Sequence, residues 1–273
     1  SPEAGGPRAG TAVAAGGEAT PPPPCANAVE LALIEAFRRC DRALVAQSVS
    51  DEWQDGSTCV AVLVVGNLLY VANCGDAECI VAQCAADADA DADCTALCVT
   101  VKHKPTDEAE RERVQRAGGF VIFGRVGGTL AVSRSFGDRS FKVPFSQTSG
   151  DLVSVDPFVQ TVRTDREHGG GEAAGAVRTP FMIVACDGLW DALKYQEAVD
   201  FVDQQRAIGS TPQQIAELIV QDSLDKGSLD NVTCAIVFLD QPVNGDNDGD
   251  PAAGVAGGAN GGGDGGGGDG GSH

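Results

Sequence analysis

Two acidic residues of the sequence stand where long apolar runs stop. Asp187 follows the run 181–186, and Asp230 comes shortly before the run 232–238. Apolar runs of this length are typical of buried strands, so we expect both carboxylates at strand ends, where an unpaired charge is costly. Asp191 adds a third carboxylate shortly after Asp187, across a bend that a glycine makes possible.

A hard divalent cation is the partner that best suits such a group of carboxylates. Two carboxylates about 4 Å apart repel each other by roughly 4 kcal/mol at an effective dielectric constant near 20, and a bound Mg²⁺ or Mn²⁺ ion turns that repulsion into attraction. Asp187, Asp191 and Asp230 are therefore candidate metal ligands. The plain structural alternative is an Asp-Gly turn and an Asp-Asn turn without a metal, since both dipeptides are common in turns.

The composition divides the chain of 273 residues into three parts. Residues 1–27 are rich in Pro, Gly and Ala, and residues 241–273 are rich in Gly and Asp, so we expect both parts to be disordered. Residues 28–240 contain enough apolar side chains for the core of one domain. Within this domain we expect two solvated loops, an acidic insertion at 85–94 and a Gly-rich loop at 165–179.

The charge and hydropathy of the chain exclude two kinds of partner. The net charge of −20 argues against nucleic-acid binding, because a phosphate backbone repels an acidic protein that lacks a basic patch. No stretch of the sequence approaches the roughly 18 consecutive apolar residues of a membrane-spanning helix.

The ten cysteines lie singly, most of them inside apolar runs, without the dense spacing of a small secreted scaffold. We interpret them as small core residues of a protein in a reducing compartment, the cytoplasm or the nucleus. Cys94 and Cys98 beside the acidic insertion are an alternative site for a soft metal, but no His lies near them, which disfavours it.

The apolar patterns predict helices and hairpins around these acidic residues. Residues 28–48 repeat apolar side chains at helical spacing, and the runs 59–65 and 68–72 flank a two-residue Gly-Asn turn. Helices are also predicted at about 196–206 and after Thr211, where a capping box and a proline mark a helix start. Hairpins followed by helices, rather than strict alternation, indicate a layered α+β fold.

Ordered short motifs across the body of the chain carry a family resemblance. The matching segments are 55–58, 69–76, 103–105, 110–119, 125–128, 130–134, 137–138, 185–191 and 230–233. In these segments the chain resembles the metal-dependent type 2C serine/threonine protein phosphatases, the PPM family. The resemblance implies a four-layer α-β-β-α fold, a β-sandwich of two mainly antiparallel sheets flanked by helices, with the N-terminal strands of the family absent from this sequence.

The resemblance also implies an activity, a cofactor and partners. Members of the family use two Mg²⁺ or Mn²⁺ ions and a bridging water to hydrolyse phosphoserine and phosphothreonine in proteins. The implied partners are therefore phosphoprotein substrates or binding proteins, and we expect the chain to be a monomer.

By position in the motifs, the resemblance assigns roles to five residues of the candidate site. Asp187 and Asp230 match the ligands of the first metal, and Asp191 matches a residue that joins Asp187 at a weaker third site. A side chain at Gly188 would crowd the ion, and the amide of Asn231 is expected to hold the loop of Asp230.

The sequence departs from the family pattern at several places. An Arg-x-x-Met-Glu-Asp motif and an Asp-Gly-His-Gly-Gly motif are absent from this chain, so the ligands of the second metal are missing and no catalytic residue is identifiable. Lys102 replaces the usual Asp before His103, and Ala77-Glu78 replaces the more usual Ser-Arg. Our hypothesis is that the ammonium of Lys102 lies beside Asp187 and Asp191 and substitutes electrostatically for the third metal.

Three functional interpretations follow. The chain is either an incomplete catalytic domain of an active phosphatase or a catalytically inactive pseudophosphatase that acts as a binding or scaffold module, and the three retained aspartates favour an incomplete sequence. A calcium site at Asp246, Asp248 and Asp250 is a third, weaker alternative, because it lacks the loop Gly and the closing Glu of a helix-loop-helix site. A Ser-His-Asp hydrolase is disfavoured, since no elbow motif surrounds a serine.

Overall fold

The structure is a computed structural model that describes residues 24–85, 94–164, 177–240 and 253–258. Its α-helices are α1 (Pro24–Ser50), α2 (Glu108–Arg116), α3 (Asp187–Trp190), α4 (Tyr195–Ala207) and α5 (Pro212–Asp225). The first strands are β1 (Gly56–Ser57), β2 (Cys59–Val65), β3 (Leu68–Cys74), β4 (Glu78–Ala85), β5 (Thr95–Cys98), β6 (Val121–Ile122) and β7 (Arg125–Val126). The remaining strands are β8 (Phe136–Gly137), β9 (Phe158–Arg163), β10 (Val177–Arg178), β11 (Phe181–Ala185), β12 (Val232–Phe238) and β13 (Ala253–Gly258).

The predicted hairpin forms the centre of a three-stranded sheet. Strands β2 and β3 pair antiparallel from Cys59 opposite Cys74 to Val65 opposite Leu68. The turn between them contains Gly66 at a φ of 59°, in the left-handed region that glycine adopts at low cost. Strand β9 pairs with the other edge of β3, so the order of the sheet is β2-β3-β9.

The larger sheet has six strands and contains both apolar runs that end at the candidate aspartates. Its order is β10-β4-β11-β12-β13, with β5 also paired to β4. Strand β11 lies between β4 and β12 and is antiparallel to both. This arrangement buries β11 and β12 within the sheet, as their apolar sequences predict.

Alternation of side chains along the strands gives each sheet two packed faces. One face of β3 presents Leu69 and Val71 to Val81 and Met182 of the large sheet, and this cluster fills the space between the sheets. Helix α1 packs on the opposite face of the small sheet, and α4 and α5 pack on the opposite face of the large sheet. The resulting four layers, α-β-β-α, confirm the predicted sandwich of antiparallel sheets flanked by helices.

A smaller unit between β5 and β9 has its own core. Val114 of α2, Val126 of β7 and Val153 are fully buried against one another. Glu110 of α2 is also buried, and the guanidinium of Arg134 binds its carboxylate, with Nε 3.1 Å from Oε1. This charged pair joins α2 to the segment that leads into β8.

Two features of the large sheet differ from the expectations of a disordered C-terminal part and of reduced cysteines. The segment 241–273 is not entirely without structure, because β13 pairs with β12. The small residues of β13 allow a close approach to α5: a Cβ on Gly254 would lie 2.1 Å from the backbone nitrogen of Gln213. Cys84 and Cys94 form a disulfide, since the pairing of Gln83 with Thr95 places these two neighbours side by side.

Several predicted segments lie outside the described residues. They are residues 1–23, residues 86–93 of the acidic insertion, residues 165–176 of the Gly-rich loop and residues 241–252, which contain the alternative calcium ligands Asp246, Asp248 and Asp250. None of the helices found between residues 24 and 258 is both long enough and apolar enough to cross a membrane.

Candidate metal centre

The antiparallel pairing of β11 and β12 brings the two strand-end aspartates to one edge of the large sheet. Ala185, at the end of β11, pairs with Cys234 near the start of β12. Asp187 follows Ala185 and opens α3, and Asp230 precedes β12. Both therefore lie at the same edge, and each lies at a strand end, as the ends of the apolar runs predict.

The carboxylates at this edge influence one another electrostatically. Partial burial has the largest effect on the Asp187 carboxyl and raises its pKa. The negative charge of Asp76 raises this pKa further, and Asp230 and Asp191 act in the same direction. The ammonium of Lys104 opposes them and lowers the pKa. Asp191 and Asp230, together with a fourth carboxylate, Asp76, thus lie within electrostatic range of Asp187.

Asp76 is the member of this group that the sequence analysis did not single out. It lies in the connection between β3 and β4, is 5% exposed and forms an ion pair with Lys104. Glu78, two residues later, pairs with Ala185, which places this connection beside the end of β11. The available signal was the same as for Asp187, a carboxylate directly after an apolar strand.

The structure gives a steric reason for a glycine at position 188. A Cβ at this position would lie 2.4 Å from the backbone oxygen of Asn231. The glycine lets the turn after β11 pack directly on the backbone that follows Asp230. The expectation that a side chain would crowd the ion stays a prediction.

Asn231 also holds its loop through different atoms from those expected. Its backbone nitrogen donates a hydrogen bond to Oδ1 of Asp230 over 2.7 Å, and its carbonyl accepts one from the thiol of Cys186 over 3.2 Å. Among the described residues its side-chain amide makes no hydrogen bond, and the side chain is exposed. The predicted supporting role therefore belongs to the backbone of Asn231.

Lys102 lies in a different environment from the one we hypothesised. Its Nζ is 2.9 Å from Oε1 of Glu78, and no salt bridge within the described part of the chain joins it to Asp187 or Asp191. The cation that acts on the pKa of Asp187 is Lys104. Lys102 therefore neutralises Glu78, which corrects the hypothesis that it substitutes for a metal beside the aspartates.

A solvent-open cleft adjoins the carboxylates. Its volume is about 420 Å³, and it is lined by residues 226–230 together with Asp191 and Ala192. Asp191 and Asp230 are thus accessible from solvent through one depression, which provides a route for a small ion and for a substrate group that contacts it.

The residues at this edge suit a hard divalent ion in their chemistry. All four acidic side chains offer carboxylate oxygens, the ligands that Mg²⁺ and Mn²⁺ prefer. Over residues 24–85, 94–164, 177–240 and 253–258, however, no three His, Cys, Asp or Glu side chains are arranged closely enough to hold a metal ion. The ligand set of Asp187, Asp191 and Asp230 therefore stays a prediction.

Comparison with known proteins gives a consistent family assignment. Residues 21–232 match the family model described as protein phosphatase 2C. The chain is 40% identical over 189 residues to protein spalten of Dictyostelium discoideum, covering 68% of this chain and 18% of that protein. It is 34% identical over 215 residues to probable protein phosphatase 2C 59 of Arabidopsis thaliana, covering 77% of this chain and 59% of that protein. The chain thus spans less than two thirds of each of these relatives.

Solved structures agree with the fold. A serine-threonine phosphatase 2C from Toxoplasma gondii superposes with a TM-score of 0.64 at 23% identity, covering 80% of this chain and 72% of that one. A sex determining protein from C. elegans superposes with a TM-score of 0.57 at 26% identity, covering 76% of this chain and 46% of that one.

Proposed function

The chain belongs to the protein phosphatase 2C family, and we propose that it hydrolyses phosphoserine and phosphothreonine in proteins with Mg²⁺ or Mn²⁺ bound at the edge of the large sheet. The observation that carries this proposal is the convergence of Asp187 and Asp230 on one edge through the pairing of β11 with β12. The carboxylates of Asp76 and Asp191 act on Asp187 at the same place.

Each residue of the edge has a distinct part in this proposal. Asp187 and Asp230 would hold the first ion, and Asp191 would join Asp187 at a further position. A bound ion would lower the pKa of a water molecule and neutralise charge on the phosphoryl oxygens. The ammonium of Lys104 offsets part of the negative charge beside Asp187, and the cleft next to Asp191 and Asp230 admits the phosphorylated side chain.

The same aspartates support a second candidate function, a catalytically inactive binding module. The observation in its favour concerns His103, which is 3% exposed and has Nδ1 3.0 Å from the carbonyl of Gly75. His103 is therefore engaged in the fold and cannot donate a proton to a leaving group. The two family motifs that would supply such a group are absent from this sequence.

We also propose the organisation of the protein around this site. Residues 28–240 form the phosphatase domain together with β13, which extends its large sheet. We expect a monomer. We propose a location in the cytoplasm or nucleus because most of the cysteines that the structure describes are free thiols. The disulfide of Cys84 and Cys94 argues against this location, since disulfides are rare in reducing compartments. Light scattering of the purified chain tests the predicted monomer.

Two measurements on the whole chain test the proposed function. Isothermal titration with Mn²⁺ measures binding, and release of phosphate from phosphoserine and phosphothreonine peptides, with and without EDTA, measures turnover. Asp187→Asn and Asp230→Asn are expected to abolish both, whereas Asp200→Asn, on the exposed face of α4, changes neither. Binding without turnover would favour the inactive module, and absence of Mn²⁺ binding would overturn the metal site.

A further inference from the structure

Glu78 is a buried carboxylate in a strand that otherwise buries apolar residues. It is 2% exposed and opens β4, where the next four residues, Cys79 to Ala82, are fully buried. Burying an ionised carboxylate is costly unless specific partners satisfy it. Its partner across the sheet is Ala185, two residues before Asp187. The carboxylate of Glu78 therefore lies on the strand next to the segment that carries the candidate metal ligands.

The two oxygens of Glu78 have different partners. Oε2 accepts a hydrogen bond from the hydroxyl of Tyr195 over 2.7 Å. Oε1 lies 2.9 Å from Nζ of Lys102. Burial raises the pKa of the Tyr195 hydroxyl, and its hydrogen bond to Glu78 raises it further. Tyr195 is therefore a stable donor that fixes the orientation of the carboxylate.

Tyr195 connects Glu78 to the turn that holds the aspartates. Its ring meets the ring of Trp190 edge-on, with centroids 5.4 Å apart. The indole nitrogen of Trp190 donates a hydrogen bond to the carbonyl of Ala185 over 3.1 Å. Together with the pairing of Glu78 and Ala185, these contacts link Glu78, Tyr195, Trp190 and Ala185 in a ring. The segment between Ala185 and Trp190 contains Asp187.

We propose that Glu78 is a positioning residue for Asp187 and Asp191, acting through Tyr195 and Trp190. The proposal rests on the proposed function, because the geometry it fixes is that of the same metal ligands. Residues that orient ligands without touching the metal commonly change metal affinity about 10-fold to 100-fold when they are replaced. The ion pair with Lys102 holds the carboxylate of Glu78 in place from its other oxygen.

The test removes the hydrogen bond between Tyr195 and Glu78. Tyr195→Phe removes the hydroxyl but keeps the ring against Trp190. We expect Mn²⁺ affinity, measured by isothermal titration on the whole chain, to fall about 10-fold. Because the chain has two tryptophans, a Trp53→Phe background makes Trp190 the sole indole, and acrylamide quenching of its fluorescence is expected to increase.

Two further variants separate positioning from general stability. Glu78→Gln keeps an acceptor for Tyr195 and is expected to retain affinity within about 3-fold, whereas Glu78→Leu is expected to lose about 10-fold. Glu197→Gln is the matched control, since Glu197 lies on the same helix as Tyr195 and is exposed. It is expected to change neither affinity nor quenching.

The outcomes are distinguishable from those of the proposed function. If Tyr195→Phe and Glu78→Leu lower only the free energy of unfolding and leave Mn²⁺ affinity and Trp190 quenching unchanged, the positioning role is overturned. If the unmodified chain binds no Mn²⁺, the proposed function fails, while hydrogen exchange of the amides of 187–191 still decides the positioning role. Exchange about 10-fold faster in Tyr195→Phe supports it, and unchanged exchange contradicts it.

Discussion

Lys102 places its ammonium 2.9 Å from the buried carboxylate of Glu78. These are two of the positions at which the sequence departs from the family pattern, and in the structure they form one pair. One departure introduces a lysine and the other a glutamate, so the two new charges are opposite in sign. The two departures therefore compensate each other, which explains why a buried acid is tolerated at the start of β4.

Replacing Lys102 by Asp is the first test of this pairing. Breaking a buried ion pair commonly costs about 3–5 kcal/mol, and because Lys102 is 33% exposed we expect Lys102→Asp to lower the free energy of unfolding by about 2–3 kcal/mol. Adding Glu78→Arg restores opposite charges, so the double variant should be more stable than the sum of the single changes predicts. Urea unfolding of the four proteins measures the coupling, and additive effects would refute the pairing.

Gly188→Ala tests the contact between the turn after β11 and the loop of Asp230. The added Cβ would lie 2.4 Å from the oxygen of Asn231, so the two backbones must separate. We expect a loss of about 1–3 kcal/mol in the free energy of unfolding, together with weaker Mn²⁺ binding. Gly150→Ala is the control, since its Cβ would be 3.6 Å from the Cβ of Ala117, and it should leave both quantities unchanged.

The stability of the fold is predicted to decrease in mild acid because of His103. Burial, and to a smaller extent the charge of Arg134, lower the pKa of His103 to about 4. The unfolded chain binds a proton at this residue below about pH 6.5 and the folded chain does not, so stability falls between about pH 6.5 and pH 4. We expect a loss of about 2–3 kcal/mol, measured by urea unfolding at several pH values.

Glu110 causes a second decrease in the stability of the fold, at lower pH. Burial alone would raise its pKa, but the hydrogen bonds and charge of Arg134 lower it to about 2. Its stabilising contribution is present above about pH 4.5 and is lost as the pH falls towards 2. His103→Gln should therefore flatten the profile above pH 4.5 and leave the steeper part below it. An unchanged profile above pH 4.5 would contradict the assignment to His103.

Asp41 and Lys142 join α1 to the segment after β8. Nζ of Lys142 lies 2.6 Å from Oδ1 of Asp41, and both side chains are buried. Lys142→Met leaves a buried carboxylate without its cation, and we expect a loss of about 3–5 kcal/mol. Asp41→Asn in the same chain removes that charge and should recover part of the loss.

The control for the buried ion pair of Asp41 and Lys142 is a solvent-exposed ion pair. Lys226 lies 2.8 Å from Asp222 one helical turn earlier, and its side chain is 45% exposed. Lys226→Met should change the free energy of unfolding by less than about 0.5 kcal/mol. Equal effects of Lys142→Met and Lys226→Met in urea unfolding would show that burial does not decide the strength of these pairs.

Thiol alkylation tests the disulfide. When the chain is denatured without a reductant and treated with iodoacetamide, Cys84 and Cys94 are expected to stay unmodified while the other cysteines react. Mass spectrometry of the peptides identifies the protected pair, and prior reduction is the control that exposes it. Alkylation of all ten cysteines without a reductant would contradict the disulfide.

Features that depend on neighbours in sequence could be predicted from the sequence. The β2–β3 hairpin follows from a two-residue turn between apolar runs, and the start of α5 follows from its capping box. In the structure the Thr211 hydroxyl accepts from the backbone of Gln214, whose side chain accepts from the backbone of Thr211. The shared edge of Asp187 and Asp230 also follows, because antiparallel pairing of two buried strands brings the end of one to the start of the other.

Features that depend on distant pairing could not be predicted in this way. The partner of Lys102 is decided by the register between β4 and β5, and no local signal in the sequence carries that register. The disulfide of Cys84 and Cys94 depends in the same manner on the pairing of β4 with β5. Strand β13 escaped prediction because its glycines and alanines have low strand propensity, and its place is fixed by contact with α5.

Strand β13 affects how far the protein can be truncated at its C-terminal side without exposing a strand edge. Cutting the chain at residue 240, where its apolar character ends, would strip β12 of its neighbour along Val232–Phe238. The row of amides and carbonyls uncovered there would be a template on which further copies could add. A chain that ends at residue 240 should therefore aggregate when it is concentrated. The longer chain, which keeps its glycine-rich C-terminal part, should stay in solution without aggregating.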